Sequence, residues 1–281
     1  MLSFPDIDPI IFALGPLKVR WYGLMYVLGF LASFFLVRLQ IRKFNLTRLK
    51  TLFENLNFTL IISLVIGGRL GYVLFYNFGY YLHHPLEILA TWEGGMSFHG
   101  GLLGVLVGGM LFCRKNKLNF WETADIYVVT IPIGLGLGRI GNFINGELFG
   151  RPADIPWAMI FPGGGLIPRH PSQLYEALLE GILLFTILWK LKDRQHEANW
   201  PQGAMLGFFL IFYGIFRCFA ELFREPDRQI GYLAGFITRG QLLSCLMIVG
   251  GSLMLVWLRQ RRKNIKRHSA GQVQRSGPGT S

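Results

Sequence analysis

Seven runs of about twenty mostly apolar residues recur along the chain, at about 19–38, 53–76, 96–113, 122–140, 173–191, 203–223 and 240–258. A helix needs roughly 20 such residues to cross the ~30 Å hydrocarbon core of a bilayer. The pattern predicts an all-α integral membrane protein with seven transmembrane helices. Residues 5–16 and 80–92 are also apolar but too short to span, and are expected at the membrane interface.

Composition agrees with lipid as the solvent. Hydrophobic residues make up 52% and charged residues 16%, where a soluble domain carries about a quarter charged. The 35 glycines suit close helix packing. Cys113, Cys218 and Cys245 have no CxxC spacing and read as packing residues. The start MLSFPDIDP is acidic, with Lys18 its first cation, so no signal peptide is expected there.

A net charge of +12 would suit nucleic acid, but its distribution points elsewhere. Cations follow the first span (Arg38, Arg42, Lys43, Arg48, Lys50), the third (Arg114, Lys115, Lys117), the fifth (Lys190, Lys192, Arg194) and the seventh (Arg259 to Arg275). In a seven-span chain these sites share one face, which gathers 18 of the 28 cations against five acids. Positive loops stay inside, so that face is cytoplasmic, the N-terminus outside and the C-terminus inside. The charge is accounted for without nucleic acid. Residues 1–258 are expected as one membrane domain, and 259–281 as a basic cytoplasmic tail whose last dozen residues are disordered.

Ten cations remain, and several sit in spans, where charge marks a polar cavity or an ion pair. Arg69 and Arg139 lie near the outer ends of the second and fourth spans, Arg217 within the sixth and Arg224 at its end. Tyr213, Arg217, Glu221 and Arg224 share one helical face. That face is either an ion-pair ladder or an anion-binding wall, and paired arginines keep donors enough for both. The segment 134–151 formally contains GxGxxG at Gly136, Gly138 and Gly141. It lacks a preceding strand, so close helix packing explains those glycines better than a dinucleotide. Arg139, Asn142, Asn145, Glu147 and Arg151 follow within thirteen residues, as in an irregular polar segment lining a cavity. His99 opens the third span beside a Gly100, Gly104, Gly108 stripe. Glu176 and Glu180 share a face of the fifth span and are expected to face protein and answer the arginines. The other histidines show no metal-ligand spacing, so neither metal nor cofactor is expected.

The block GRIGNFINGELFGR at 138–151 resembles the signature of the prolipoprotein diacylglyceryl transferases. WYGLMY at 21–26, FHGGLLG at 98–104, RHPSQLYE at 169–176 and YGIFRCFAELFREPD at 213–227 are similar to that family in the same order. The resemblance spans about residues 9–258. It implies transfer of the diacylglyceryl group of phosphatidylglycerol to the lipobox cysteine of a prolipoprotein signal peptide, releasing glycerol-1-phosphate. The setting it implies is the outer leaflet of the bacterial cytoplasmic membrane. It further implies catalytic roles for Arg139, Arg217, His99, Tyr22, Tyr213, Asn142 and Glu147. Substrate binding would involve Arg139, Arg217, Asn145, Gly150, Glu221 and Arg224. For His99 two roles stay open. Either it takes the thiol proton, or it only hydrogen-bonds while the arginines lower the thiol pKa. A transporter or flippase for an anionic lipid is the rival reading; it usually shows internal repeats, and none is evident.

Overall fold

The computed structural model describes residues 2–5, 7–15, 17–198, 200–225 and 238–275. It is mostly helical, and each expected span falls on helix. A short strand β1 (Leu2–Ser3) is followed by β2 (Ile10–Leu14) and β3 (Leu17–Arg20), an antiparallel hairpin with Leu14 opposite Leu17 and Gly15 at φ +60°. The all-α expectation is therefore corrected at the N-terminus. The apolar stretch at 5–16 was too short to be a span, and its extended residues satisfy their backbone groups by pairing with 17–20 instead.

The helices follow: α1 (Trp21–Lys43), α2 (Thr47–Phe75) and α3 (Phe78–His83), then two 3-10 turns (Pro85–Leu89 and Thr91–Glu93). Next come α4 (Phe98–Lys115), α5 (Phe120–Val128) and α6 (Ile131–Ile144). Strand β4 (Met159–Ile160) pairs in parallel with β1. After it, α7 (Ser172–Glu176), a π-helical stretch (Ala177–Leu183) and α8 (Leu184–Glu197) run on without interruption. The chain ends in α9 (Ala204–Ala220) and α10 (Arg239–Arg275).

Four helical stretches are long and apolar enough to cross a membrane: Trp21–Lys43, Thr47–Phe75, Phe120–Ile144 and Arg239–Lys263. The chain is thus a multi-pass membrane protein. The other three expected spans are interrupted or shortened for a physical reason. The end of α4 carries Arg114 and Lys115, the 172–197 stretch carries Glu176 and Glu180, and α9 has 17 residues. Side chains such as Phe75, Leu86 and Phe98 lie open on the surface, as lipid-facing residues do. Helix α10 continues through the basic residues to Arg275, past the point where the sequence predicts loss of order; 276–281 lie outside the described residues.

The chain divides into two compact units. One comprises residues 38–123. Within it α2 and α4 pack through their small residues: a Cβ on Gly67 would lie 2.7 Å from the Gly104 Cα, and one on Gly104 would strike the Ser63 carbonyl. This is the stripe the sequence marks. Arg69 is buried here and, among the described residues, its hydrogen bonds go to backbone: Nε to the Ile88 carbonyl (2.8 Å), Nη2 to that of Glu87 (2.6 Å) and Nη1 to that of Gly94 (2.6 Å). It clamps the loop between α3 and α4.

The other unit comprises residues 1–37 and 124–281, described as above. Its core gathers Val128, Val129, Leu184, Leu188 and Met205, with Trp189, Phe208 and Phe212 around them. Buried Asp125 accepts from the backbone N–H of Gly203 (2.6 Å) and Leu206 (3.1 Å) and from Gln195 Nε2 (2.6 Å). Its carboxylate caps the N-terminus of α9, where the helix dipole favours negative charge. In α6 the close approaches fall at Gly29 to Gly134 and Gly136 to Gly181, while Gly138 faces open space. Of the glycines the sequence reads as packing residues, Gly136 and Gly141 do meet neighbours and Gly138 does not.

Candidate functional site

The polar residues of α6 and α9 are brought together by two carboxylates between them. Arg139 lies near the end of α6, Arg217 in the last turn of α9 and Arg224 just beyond it. Glu176 closes α7 and Glu180 sits in the π stretch. π turns are rare and recur at functional sites. This one is braced by the backbone contact of Gly181 with Gly136, where a Cβ would come within 2.7 Å of the Gly136 Cα. Glu176 and Glu180 are wholly buried, as the sequence predicts for acids that answer the arginines.

Glu176 Oε2 is the meeting point. It accepts from Arg217 Nη1 at 2.5 Å, pairs with Arg139 Nη2 at 2.9 Å and has Arg224 Nη1 at 3.8 Å. Glu180 stands within 3.5 Å of Arg217 and 3.9 Å of Arg139. Arg217 Nη2 reaches Glu221 at 2.8 Å, the i,i+4 rung of the expected ladder, and the Glu221 carboxylate rests on Gly240 of α10. The Arg139, Arg217 and Arg224 side chains are 19%, 12% and 13% exposed, against 0% for Glu176 and Glu180. The arginine side chains are therefore the more accessible layer, with Glu176 and Glu180 buried beneath them. Arg139 commits one terminal nitrogen to these acids, and a guanidinium has five N–H donors, so a phosphate has donors left to meet.

Beside the arginines, α6 ends and the chain turns irregular, with Gly146 at φ +67° and Leu148 at φ +56°. Glu147 Oε1 accepts from Asn142 Nδ2 (2.9 Å) and Asn145 Nδ2 (3.1 Å). Gln173 Nε2 donates to the Glu147 carbonyl (2.6 Å), and Ser172 Oγ to that of Leu148 (3.1 Å). Non-glycine residues at positive φ persist where neighbours hold them, often in functional segments. Gly150 lies where three segments converge. Its N–H bonds the His170 carbonyl (2.9 Å), and the next residue, Arg151, bonds the carbonyls of Phe223 and Arg224 (both 2.9 Å). A Cβ on Gly150 would come within 2.7 Å of the His170 Cβ and nearer still to the Phe223 carbonyl, so packing alone requires glycine. Arg169 pairs with Glu225 and lies over the Phe149 ring. Outside the spans, partial burial lowers the pKa of His170, favouring neutral imidazole; its Nδ1 lies 3.2 Å from the Tyr175 hydroxyl.

Tyr22 packs against Gly141 of α6, and its hydroxyl bonds that of Tyr26 (2.8 Å). Tyr213 stacks on Phe209, ring centroids 5.6 Å apart, one turn before Arg217. All the expected site residues but one thus lie in the unit of residues 1–37 and 124–281. The exception is His99, exposed in the first turn of α4, its ring edge-on to Phe98 and the helix capped by Ser97. Sequence reading did not single out Gln173, whose place behind the Glu147 turn depends on chain separated by 26 residues. Its position in RHPSQLYE was the one available signal.

Comparison with known proteins gives a consistent result. Residues 9–257 match the model of the family described as prolipoprotein diacylglyceryl transferase. Relatives named phosphatidylglycerol–prolipoprotein diacylglyceryl transferase include one from Desulfotalea psychrophila, 57% identical over 93% of this chain and 97% of the relative. One from Geobacter sulfurreducens is 53% identical over 93% and 99%, and one from Aliivibrio salmonicida 51% over 92% and 90%.

Proposed function

The chain belongs to the prolipoprotein diacylglyceryl transferase family, and from that premise we propose how its residues carry the family's reaction. It is a transferase that moves the diacylglyceryl group of phosphatidylglycerol onto the cysteine thiol of a prolipoprotein, the first step of lipoprotein maturation. Sulfur attacks the glyceryl carbon bearing the phosphate ester. The C–O bond breaks, its electron pair stays on the phosphate oxygen, and a thioether and glycerol-1-phosphate result.

Arg139 and Arg217 hold the phosphate and stabilise the charge that develops on it as the bond breaks. The carrying observation is that both guanidiniums converge on one buried carboxylate while keeping exposure of their own. Arg224 and Glu221 extend and orient this array. Asn142, Asn145, Glu147 and Gly150 shape the irregular turn beside it, against which the polar head of the lipid rests. Tyr22 packs on α6, which bears Arg139, and Tyr213 lies on α9 itself, one turn before Arg217. A thiol of pKa about 8.5 is mostly protonated at neutral pH, so its proton must be taken or its pKa lowered: His99 is either the base or a hydrogen-bonding residue while the arginines lower the thiol pKa.

The seven-span arrangement completes the reading. Helix α4, the 172–197 stretch and α9 join the four longer spans, with the N-terminus outside and the C-terminus in the cytoplasm. The 18 clustered cations support that orientation. The arginine layer then faces the outer leaflet of the cytoplasmic membrane, where a translocated signal peptide presents its lipobox cysteine. Residues 1–258 form the catalytic membrane domain and 259–281 its basic extension.

Purified protein given phosphatidylglycerol and a lipobox peptide is expected to yield a thioether-linked lipopeptide and glycerol phosphate. A folded protein that forms neither overturns the proposal; a lipid carrier would leave the lipid intact. Arg139→Ala is expected to lower turnover about 10²–10³-fold with the fold retained.

A further inference from the structure

Three guanidiniums and three carboxylates balance in this site: Arg139, Arg217 and Arg224 against Glu176, Glu180 and Glu221. Glu176 is the most shared of the acids, with its Oε2 2.5, 2.9 and 3.8 Å from the three arginines. It lies behind them, wholly buried, and its Oε1 accepts no hydrogen bond among the described residues. A phosphate arriving from the accessible side meets the guanidiniums first. Glu176 stays within a few ångströms as a fixed anion that no solvent screens.

The reaction changes the charge held in such a site. The phosphodiester of phosphatidylglycerol carries one negative charge. The released glycerol phosphate is a monoester, whose second ionisation near pH 6 makes it close to a dianion at neutral pH. An arginine trio without a counter-ion would stabilise the developing charge and then keep hold of the product. A buried carboxylate on the far side of the same guanidiniums fixes their aim and lowers the field the product feels.

Resting on the function proposed above, we infer that Glu176 is a positioning residue. Acting through Arg139, Arg217 and Arg224, it aims the phosphate-binding guanidiniums and limits their affinity for the doubly charged product, so that glycerol phosphate leaves.

The test is product inhibition of the full-length protein in phosphatidylglycerol-containing bilayers, with glycerol 1-phosphate as the probe. In Glu176→Gln the inhibition constant is expected to fall about tenfold or more, since one unit charge ~6 Å away, across a guanidinium, at a protein-like dielectric is ample for that. The KM for the singly charged lipid should move less, and kcat should drop as release slows. Glu176→Asp keeps the charge and should restore an inhibition constant near that of the unmodified protein. A residue needed only for folding would lower stability without tightening the product. An inhibition constant unchanged or weakened in folded Glu176→Gln overturns the inference. If that variant does not fold, Glu221→Gln removes the carboxylate 2.8 Å from Arg217 Nη2 and must tighten inhibition in the same direction; an unchanged or weaker constant there overturns it equally. Absence of thioether product from the unmodified protein would be a failure of the underlying function, a different result from unchanged inhibition.

Discussion

Arg69 and Arg139 show how little a single position reveals. Each is an arginine among glycines near the end of a long apolar run. Arg69 spends its donors on the carbonyls of Glu87, Ile88 and Gly94, whereas Arg139 meets Glu176 and retains exposure. The charge pattern marks both as unusual, and only the partners supplied by distant chain separate clamp from site. Gly150 was legible as part of a specific block, but the reason for a glycine lay in the backbones of residues 170 and 223. At this scale His99 carries a prediction about pH. A general base at this position would give the rate an acid limb of its own. His99→Gln should lower the rate and shift or remove that acid limb, as read from a profile of rate against pH. An unchanged profile would leave only the hydrogen-bonding role.

Among the elements, α2 and α4 were the most legible, because spacing at every fourth residue is a local property of sequence. Their contact through Ser63, Gly67, Gly100 and Gly104 leaves no volume for a side chain. Gly104→Leu should therefore push the helices apart and lower thermal stability by at least ~1–3 kcal/mol, the usual cost of overpacking. A melting curve in detergent checks this, and a melting temperature equal to that of the unmodified protein would refute it. The π stretch was not legible. Residues 177–183 read as ordinary helix, and the wider winding is tied to the packing of Gly181 on Gly136, 45 positions earlier. The N-terminal hairpin was missed for a related reason: apolar residues 10–14 and the alternating Leu17, Lys18, Val19 and Arg20 do not reveal in sequence that each stretch is the other's backbone partner.

For the molecule as a whole, hydropathy predicted where helices lie, and each expected span coincides with helix. Apolar length alone is less decisive, because α4, 172–197 and α9 give up apolarity or length to charged residues. Reporter fusions should resolve the arrangement. A fusion after residue 263 should report the cytoplasm, as should one in the 114–119 loop, while one in the 85–95 loop should report the outside. A C-terminal reporter that is active only outside would reverse the proposed orientation.

The cap that Asp125 places on α9 has a consequence for how the protein is made. Its acceptor and the Gly203 donor are separated by 78 positions, and the acceptor is synthesised first. At about 5–20 residues per second, Asp125 waits several seconds within α5 before the start of α9 leaves the ribosome. During that interval the carboxylate is an unmet demand within a nascent membrane chain, and α9 enters to find its first turn already provided for. Biogenesis is then expected to have a direction, with the earlier helix serving as a template for the later one. An Asp125→Ala chain should betray this as slower or less complete insertion of α9 during translation, before any effect on finished catalysis is felt.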